Sequence, residues 1–148
     1  MVDSRLKLAL IGCGGIAQAH WQGIQLLATR VDVTAVVDNN PDAANAMAAQ
    51  TGAEAFTDID EALKQGDFEA VDIMLPHDLH ESSALACFDA GKHVLLEKPM
   101  AHSLESAERI LDAGNKVDTV CMIAEQAQYW TDVVKARELM DAGAIGEV

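Results

Sequence analysis

The chain has 148 residues, half of them hydrophobic, and a formal net charge of −14, with a sequence pI near 4.4 and a mean hydropathy of +0.08. This is the length of one ordinary domain with enough apolar material for a core, which excludes a disordered chain and a small scaffold held by disulfides or metal. So acidic a surface repels phosphate backbones and anionic lipid, which argues against nucleic acid or a membrane surface as partner.

Leu6–Ile11 is an apolar run broken only by Lys7 and ending in glycines, and it reads as a strand. Residues 15–29 have helical spacing, with Ile16, Ile24 and Leu27 on or near one face. Val31–Val37 is β-branched and reads as the next strand. Asn40 then caps a helix with Pro41 at its first position, running over 43–50 and closed by Gly52.

A short strand is predicted over 53–56, and Asp58 and Glu61 have capping-box spacing ahead of a short helix. Residues 70–75 form a strand stopped by Pro76. Asp78 and Glu81 repeat the capping spacing before a helix that reaches Ala90 and ends at Gly91. Another strand covers 93–96, and Ser103 caps a helix to about Asn115. A strand over 119–124 and a helix over 131–142, ending at Gly143, complete the chain.

Strand and helix alternate six times, which predicts an α/β domain spanning 1–148, a doubly wound parallel sheet covered on both faces. Cys13, Cys87 and Cys121 are far apart, odd in number and form no C-x-x-C pair, so buried reduced thiols are expected. No apolar run approaches the ~18–20 residues of a membrane span, and Met1 to Arg5 has no signal-peptide layout. A reducing, cytoplasmic setting follows.

Gly12-Cys13-Gly14-Gly15-Ile16-Ala17 matches G-x-G-x-x-A and sits after the first strand, at the opening of a helix. Gly12 suits a tight turn, Gly14 lets a pyrophosphate approach the backbone, and Ala17 allows close helix–strand packing. The free N–H groups of Gly15 and Ile16 and the helix dipole would face the phosphates. Alone, the motif also fits a glycine-rich turn without a ligand. Its position, and Asp38 at the end of the second strand, favour a Rossmann-type dinucleotide site.

Asp38 can accept hydrogen bonds from the adenosine ribose hydroxyls and would repel the extra phosphate of NADP. No Arg or Lys follows in Asn39-Asn40-Pro41, so NAD is favoured over NADP. The alternative for Asp38 is a turn-initiating acid before Asn-Asn-Pro.

Gly91-Lys-His-Val-Leu-Leu-Glu-Lys-Pro99 resembles the G-K-H-V-hydrophobic-x-E-K-P signature of the Gfo/Idh/MocA family, the glucose–fructose oxidoreductases and inositol dehydrogenases. The opening Ile11 to Ala17, the turn Leu75-Pro76-His77-Asp78-Leu79-His80 and the end Gly143-Ala-Ile-Gly-Glu-Val148 are similar to family motifs as well. The resemblance covers essentially the whole chain.

The resemblance implies hydride transfer between nicotinamide and a hydroxyl carbon of a sugar, polyol or related small molecule. It places Lys98 beside the nicotinamide ribose and the reacting carbon, where an ammonium can polarise an oxygen and assist proton transfer. Glu97 would orient nearby groups, and Pro99 would fix the turn, a position suited to a cis peptide bond. Pro76 and His80 would line the cofactor, the alternative for His80 being a packing role at the helix start. His20, His77, His93 and His102 show no metal spacing and read as structural or solvated, and Trp21, Tyr129 and Trp130 as packing residues.

Two departures from the family stand out. Members continue into a second domain that forms much of the substrate site, supplies a further proton-transfer pair and usually the oligomer interface, whereas this sequence stops at Val148. The expectation is a fragment, or a chain that pairs with another copy or partner, with weak or absent dehydrogenase activity alone. Apolar surface at the carboxyl edge of the sheet would then face water.

Also, where the family often has an Asn-Arg-Arg-Phe-like run, this chain has Gln126-Ala-Gln-Tyr-Trp-Thr131. The arginine charge is missing, which leaves the substrate open, with Glu125 and Gln126 still candidates to line the site. Two other functions compete: a non-catalytic dinucleotide-binding module or partner subunit, and an S-adenosylmethionine methyltransferase. The Glu-Lys-Pro segment argues against the methyltransferase.

Overall fold

The structure is a computed structural model that describes residues 5–146. Glu147 and Val148 of the terminal motif, and all but Arg5 of the opening segment, lie outside the described residues. The strands are β1 (Leu6–Ile11), β2 (Val31–Val37), β3 (Glu54–Phe56), β4 (Ala70–Ile73), β5 (His93–Glu97) and β6 (Cys121–Ala124). The helices are α1 (Gly15–Gln25), α2 (Pro41–Thr51), α3 (Ile59–Gln65), α4 (His80–Asp89), α5 (Leu104–Gly114) and α6 (Thr131–Asp141). The six strands form one parallel sheet in the order β3-β2-β1-β4-β5-β6. The order reverses between β1 and β4, which opens a crevice at their carboxyl ends.

Alternation along the strands sorts side chains to two cores. Ala9, Ile11, Val71, Ile73 and Leu96 pack with Phe88 of α4 and Ile110 of α5. On the other face, Leu8, Leu10, Val33 and Val36 pack with Ala17 of α1 and Met47 of α2. The β1–β2 register shifts between Leu8 and Ala9, leaving Thr34 as an extra residue. That is why Val33 and Val36 share a face although they are three apart.

Helix starts follow local hydrogen-bond chemistry. Asn40, Asp58 and Ser103 each accept from a backbone N–H in the first turn of α2, α3 and α5. Asp78 does not cap α4, contrary to its spacing. Residues 77–79 form a 3-10 turn that runs straight into the helix, so Leu79 at the boundary is already helical (φ −95°, ψ −9°) and no extended capping residue exists. Glu81 instead takes a two-pronged hydrogen bond from Arg109 of α5, with Arg109 Nη2 2.8 Å from Glu81 Oε2. That guanidinium holds the Glu81 carboxyl down to about 2, so α4 and α5 stay linked through the mildly acidic range.

Two further expectations about the fold need correction. First, α1 ends at Gln25 rather than Thr29. Leu26 and Leu27 bond three residues back, and the tightened turn returns the chain so that Arg30 O accepts from Leu6 N. Ile16 is half-exposed and Leu26 is 87% exposed, so the apolar face there is narrow. Second, Tyr129 and Trp130 are exposed and do not pack into the core; α6 beyond them is exposed along its length.

Apolar surface is open at both edges of the sheet. Leu79, Tyr129 and Trp130, in the segments after β4 and β6, are exposed at the carboxyl edge, and a groove of about 460 Å³ lies over the amino-terminal halves of the strands, lined by residues such as Leu6, Leu27, Leu95 and Met122. No helix of the described residues is long and apolar enough to cross a membrane.

Candidate functional site

Because all six strands are parallel, the segments after them meet at one edge. Gly12 follows β1, Asp38 follows β2, Pro76 follows β4 and Lys98 follows β5, with Gln126 just beyond β6. Gly14, Gly15, Ile16, Asn39, Pro76, Lys98 and Gln126 are all exposed there. Gly12, Ala17 and Glu97 are buried beneath them.

The glycine turn is built for a tight reversal. Gly12 has φ +94°, a conformation that L side chains rarely adopt, and a Cβ on it would lie 2.5 Å from Met74 O. Its N–H donates to Val37 O at 2.8 Å. Asp38 ties the next residue down, since the Cys13 N–H donates to Asp38 Oδ2 at 2.8 Å. The other oxygen, Oδ1, accepts from Asn40 N at 2.9 Å. Asp38 is thus both a turn-forming acid and the wall of the glycine turn. Burial, together with the Asp38 charge, pushes the Cys13 thiol up to about 11, so it is a neutral packing group. Burial alone carries Cys87 to about 12, against a small opposing pull from Lys92. All three cysteines are free.

The residues fit a dinucleotide pyrophosphate. Gly14 is the N-cap of α1, has no side-chain cap and is followed by no acidic residue in the first turn. The first N–H groups of α1 are therefore not capped by a side chain, at the positive end of an 11-residue helix. A Cβ on Gly14 or Gly15 would meet nothing within 4 Å, so the space over those N–H groups is open. Ala17 is fully buried against β1 and leaves α1 close to the sheet.

On the other side of the crevice the Lys98–Pro99 peptide bond is cis. Glu97 bends back so that its Oε2 accepts the Lys98 N–H at 2.8 Å, and the Lys98 side chain is left exposed. His80 is corrected from its expected place beside the cofactor. It is fully buried, with Nδ1 3.0 Å from Pro99 O and Nε2 2.9 Å from Leu75 O. Its ring ties the segment after β4 to the segment after β5, and any effect on a cofactor passes through them.

One group escaped the sequence. His20, on α1, has Nδ1 2.7 Å from Asp72 Oδ2 and Nε2 3.0 Å from Glu97 Oε1. Asp72 is 1% exposed, in the middle of β4, and its Oδ1 has no hydrogen-bond partner. The signal was present in Ala70-Val-Asp-Ile73, an acid inside a strand buried on both faces, because a buried carboxylate demands a partner. The hydrogen bond to Asp72 is the largest of the causes that raise the His20 pKa, and Glu97 adds to it against the cost of burial.

Residues 6–125 match the Gfo/Idh/MocA family, described as an oxidoreductase family with an NAD-binding Rossmann fold. The chain is 31% identical over 125 residues to a 4-carboxy-2-hydroxymuconate-6-semialdehyde dehydrogenase of a Sphingobium species, covering 84% of this chain and 39% of that protein. It is 33% identical to an inositol 2-dehydrogenase of Klebsiella pneumoniae over 95% of this chain and 43% of the relative. The WlbA dehydrogenase of Bordetella pertussis, solved in complex with NADH and UDP-GlcNAcA, superposes with a TM-score of 0.91 at 29% identity, covering 97% of this chain and 43% of that one. The chain thus spans about two fifths of the length of these relatives.

Proposed function

The chain belongs to the Gfo/Idh/MocA oxidoreductase family and has its NAD-binding Rossmann fold, and on that footing we propose that it is the cofactor domain of an NAD-dependent dehydrogenase acting on a sugar, polyol or related small molecule. The observation that carries this reading is the uncapped, open N-terminus of α1 over Gly14, set beside Asp38 and on the same sheet edge as Lys98. Bound nicotinamide supplies the hydride acceptor or donor.

The chain's own groups do the rest. N–H groups of Gly15 and Ile16 hold the pyrophosphate. Asp38, already aimed by the Cys13 and Asn40 N–H groups, keeps lone pairs for ribose hydroxyls. Pro76, Asn39 and Gln126 border the cofactor. Lys98 lies free at the end of β5, where its ammonium can steady a developing alkoxide and pass a proton. The backbone of Lys98 is fixed by Glu97, which leaves only its side chain to reorient.

Asp38 also sets the choice of dinucleotide. A carboxylate next to a 2′-phosphate is repulsive, and the adjoining Asn39-Asn40-Pro41 brings no cation to offset it. NADH is expected to bind at least ~10-fold more tightly than NADPH. Asp38→Asn, which keeps an acceptor for the Cys13 N–H, should shrink that gap; equal affinities for the two cofactors in the unaltered protein would contradict the assignment.

Lys98 is tested separately from binding. In hydride-transfer assays against sugars and polyols, with the chain joined to a substrate-binding domain or partner, Lys98→Ala should lower kcat by ~100-fold or more. The NADH affinity should change little, because the pyrophosphate is held on the far side of the crevice. Undiminished turnover by the variant would remove Lys98 from the chemistry.

A further inference from the structure

His20 lies on α1, and its ring bridges two strands. Its ring contacts Asp72 on β4, which borders the crevice, and Glu97 on β5, the next strand. Both contacted atoms are carboxylate oxygens, which accept only. A neutral imidazole has one N–H and one lone pair, so it can satisfy one carboxylate and must present a lone pair to the other. The imidazolium, with two N–H groups, satisfies both. Asp72 and Glu97 are also the charged groups that act on His20.

The second Glu97 oxygen reaches the site. Oε1 faces His20 and Oε2 accepts the Lys98 N–H. With Oε1 held by the ring, the carboxylate cannot rotate about its last bond without losing one of two hydrogen bonds. His20, Glu97 and the Lys98 backbone therefore form one chain of contacts from α1 to the candidate reacting group.

We propose that protonated His20 is a positioning residue: clamped between Asp72 and Glu97, it fixes the Glu97 carboxylate and through it the backbone of Lys98, and deprotonation of the ring loosens that hold. The proposal rests on the reading of Lys98 given above and adds a pH control to it. The sign follows from the geometry. Partners that raise a histidine's pKa make the clamp complete below its ordinary value of 6.5, and it is lost as pH rises through the raised value. The ring is one-fifth exposed, so solvent can exchange its proton.

The coupling can be read without substrate. In NMR titrations of the whole chain between pH 5.5 and 10, the His20 ring nitrogens report protonation and the amide of Lys98 reports its hydrogen bond. The Cys13 amide, held by Asp38 instead, is the control. The Lys98 amide should shift with the midpoint of His20, above pH 6.5. Its exchange protection, corrected for the intrinsic rate, should fall roughly tenfold across that midpoint while Cys13 stays protected.

His20→Gln should abolish the Lys98 response. If that variant does not fold, the titration of the unaltered chain decides alone. A His20 ring already neutral at pH 6, or a Lys98 amide that ignores the His20 titration, would overturn the proposal. NADH binding is measured in the same samples. Lost coupling with intact NADH binding refutes the role of His20, whereas absence of NADH binding refutes the reading of the site beneath it.

Discussion

Gly14→Val should weaken NADH binding by ~100-fold or more and leave the fold in place. The two halves of that outcome come from one measurement on the structure. A Cβ at Gly14 meets no protein atom within 4 Å, and its φ of −77° and ψ of −162° are extended values that a β-branched residue adopts readily. The valine methyls therefore enter the space where the phosphates approach the N–H groups of α1. The stability cost is limited to exchanging glycine for valine at the N-cap, about 1 kcal/mol. Calorimetric titration with NADH, paired with thermal unfolding, checks both; a folded variant that still binds NADH tightly would move the cofactor away from the glycine turn.

Gly12→Ala should do the reverse and strike the fold. At φ +94° an alanine is strained whatever its surroundings, and its Cβ would sit 2.5 Å from Met74 O. The obstacle is backbone, and Met74 cannot retreat cheaply because its N–H donates to Ile11 O at 2.8 Å, just past the β1–β4 pairing. Relieving the clash means parting the two central strands at the crevice. The expected loss is about 3 kcal/mol, or roughly 10 °C in Tm for a chain of this size. A variant as stable as the parent would show that the turn has another conformation open to it.

The contrast between these glycines is instructive about what a sequence carries. Both belong to the same motif, and the tight turn at Gly12 was legible from its placement after an apolar strand. The sheet was legible for a similar reason: strands buried on both faces have to be continuously apolar, and the helices between them carry their own caps at Asn40, Asp58 and Ser103. Where prediction failed, a local pattern was outvoted by its neighbours. Asp78 has capping spacing, but a 3-10 turn leaves it no extended position from which to cap.

The site divides along the same line. Gly12, Gly14, Asp38 and Lys98 follow strand ends, so the parallel topology alone brings them to one edge. His20 could not be found that way. Its partners are 52 and 77 residues distant, on strands that only the folded sheet places side by side. The trace it left was the acid in β4. His80 shows the limit of a matched motif, which located the residue but not its direction: the ring turns inward to two backbone carbonyls.

Everything proposed for the site depends on the glycine turn holding a nicotinamide dinucleotide. Calorimetric titration of the purified chain with NADH, alongside NADPH and S-adenosylmethionine, tests that dependence most directly. Saturable binding of NADH at one site, weaker binding of NADPH and no binding of S-adenosylmethionine are expected. A folded chain that takes up no NADH, or that prefers S-adenosylmethionine, would contradict it.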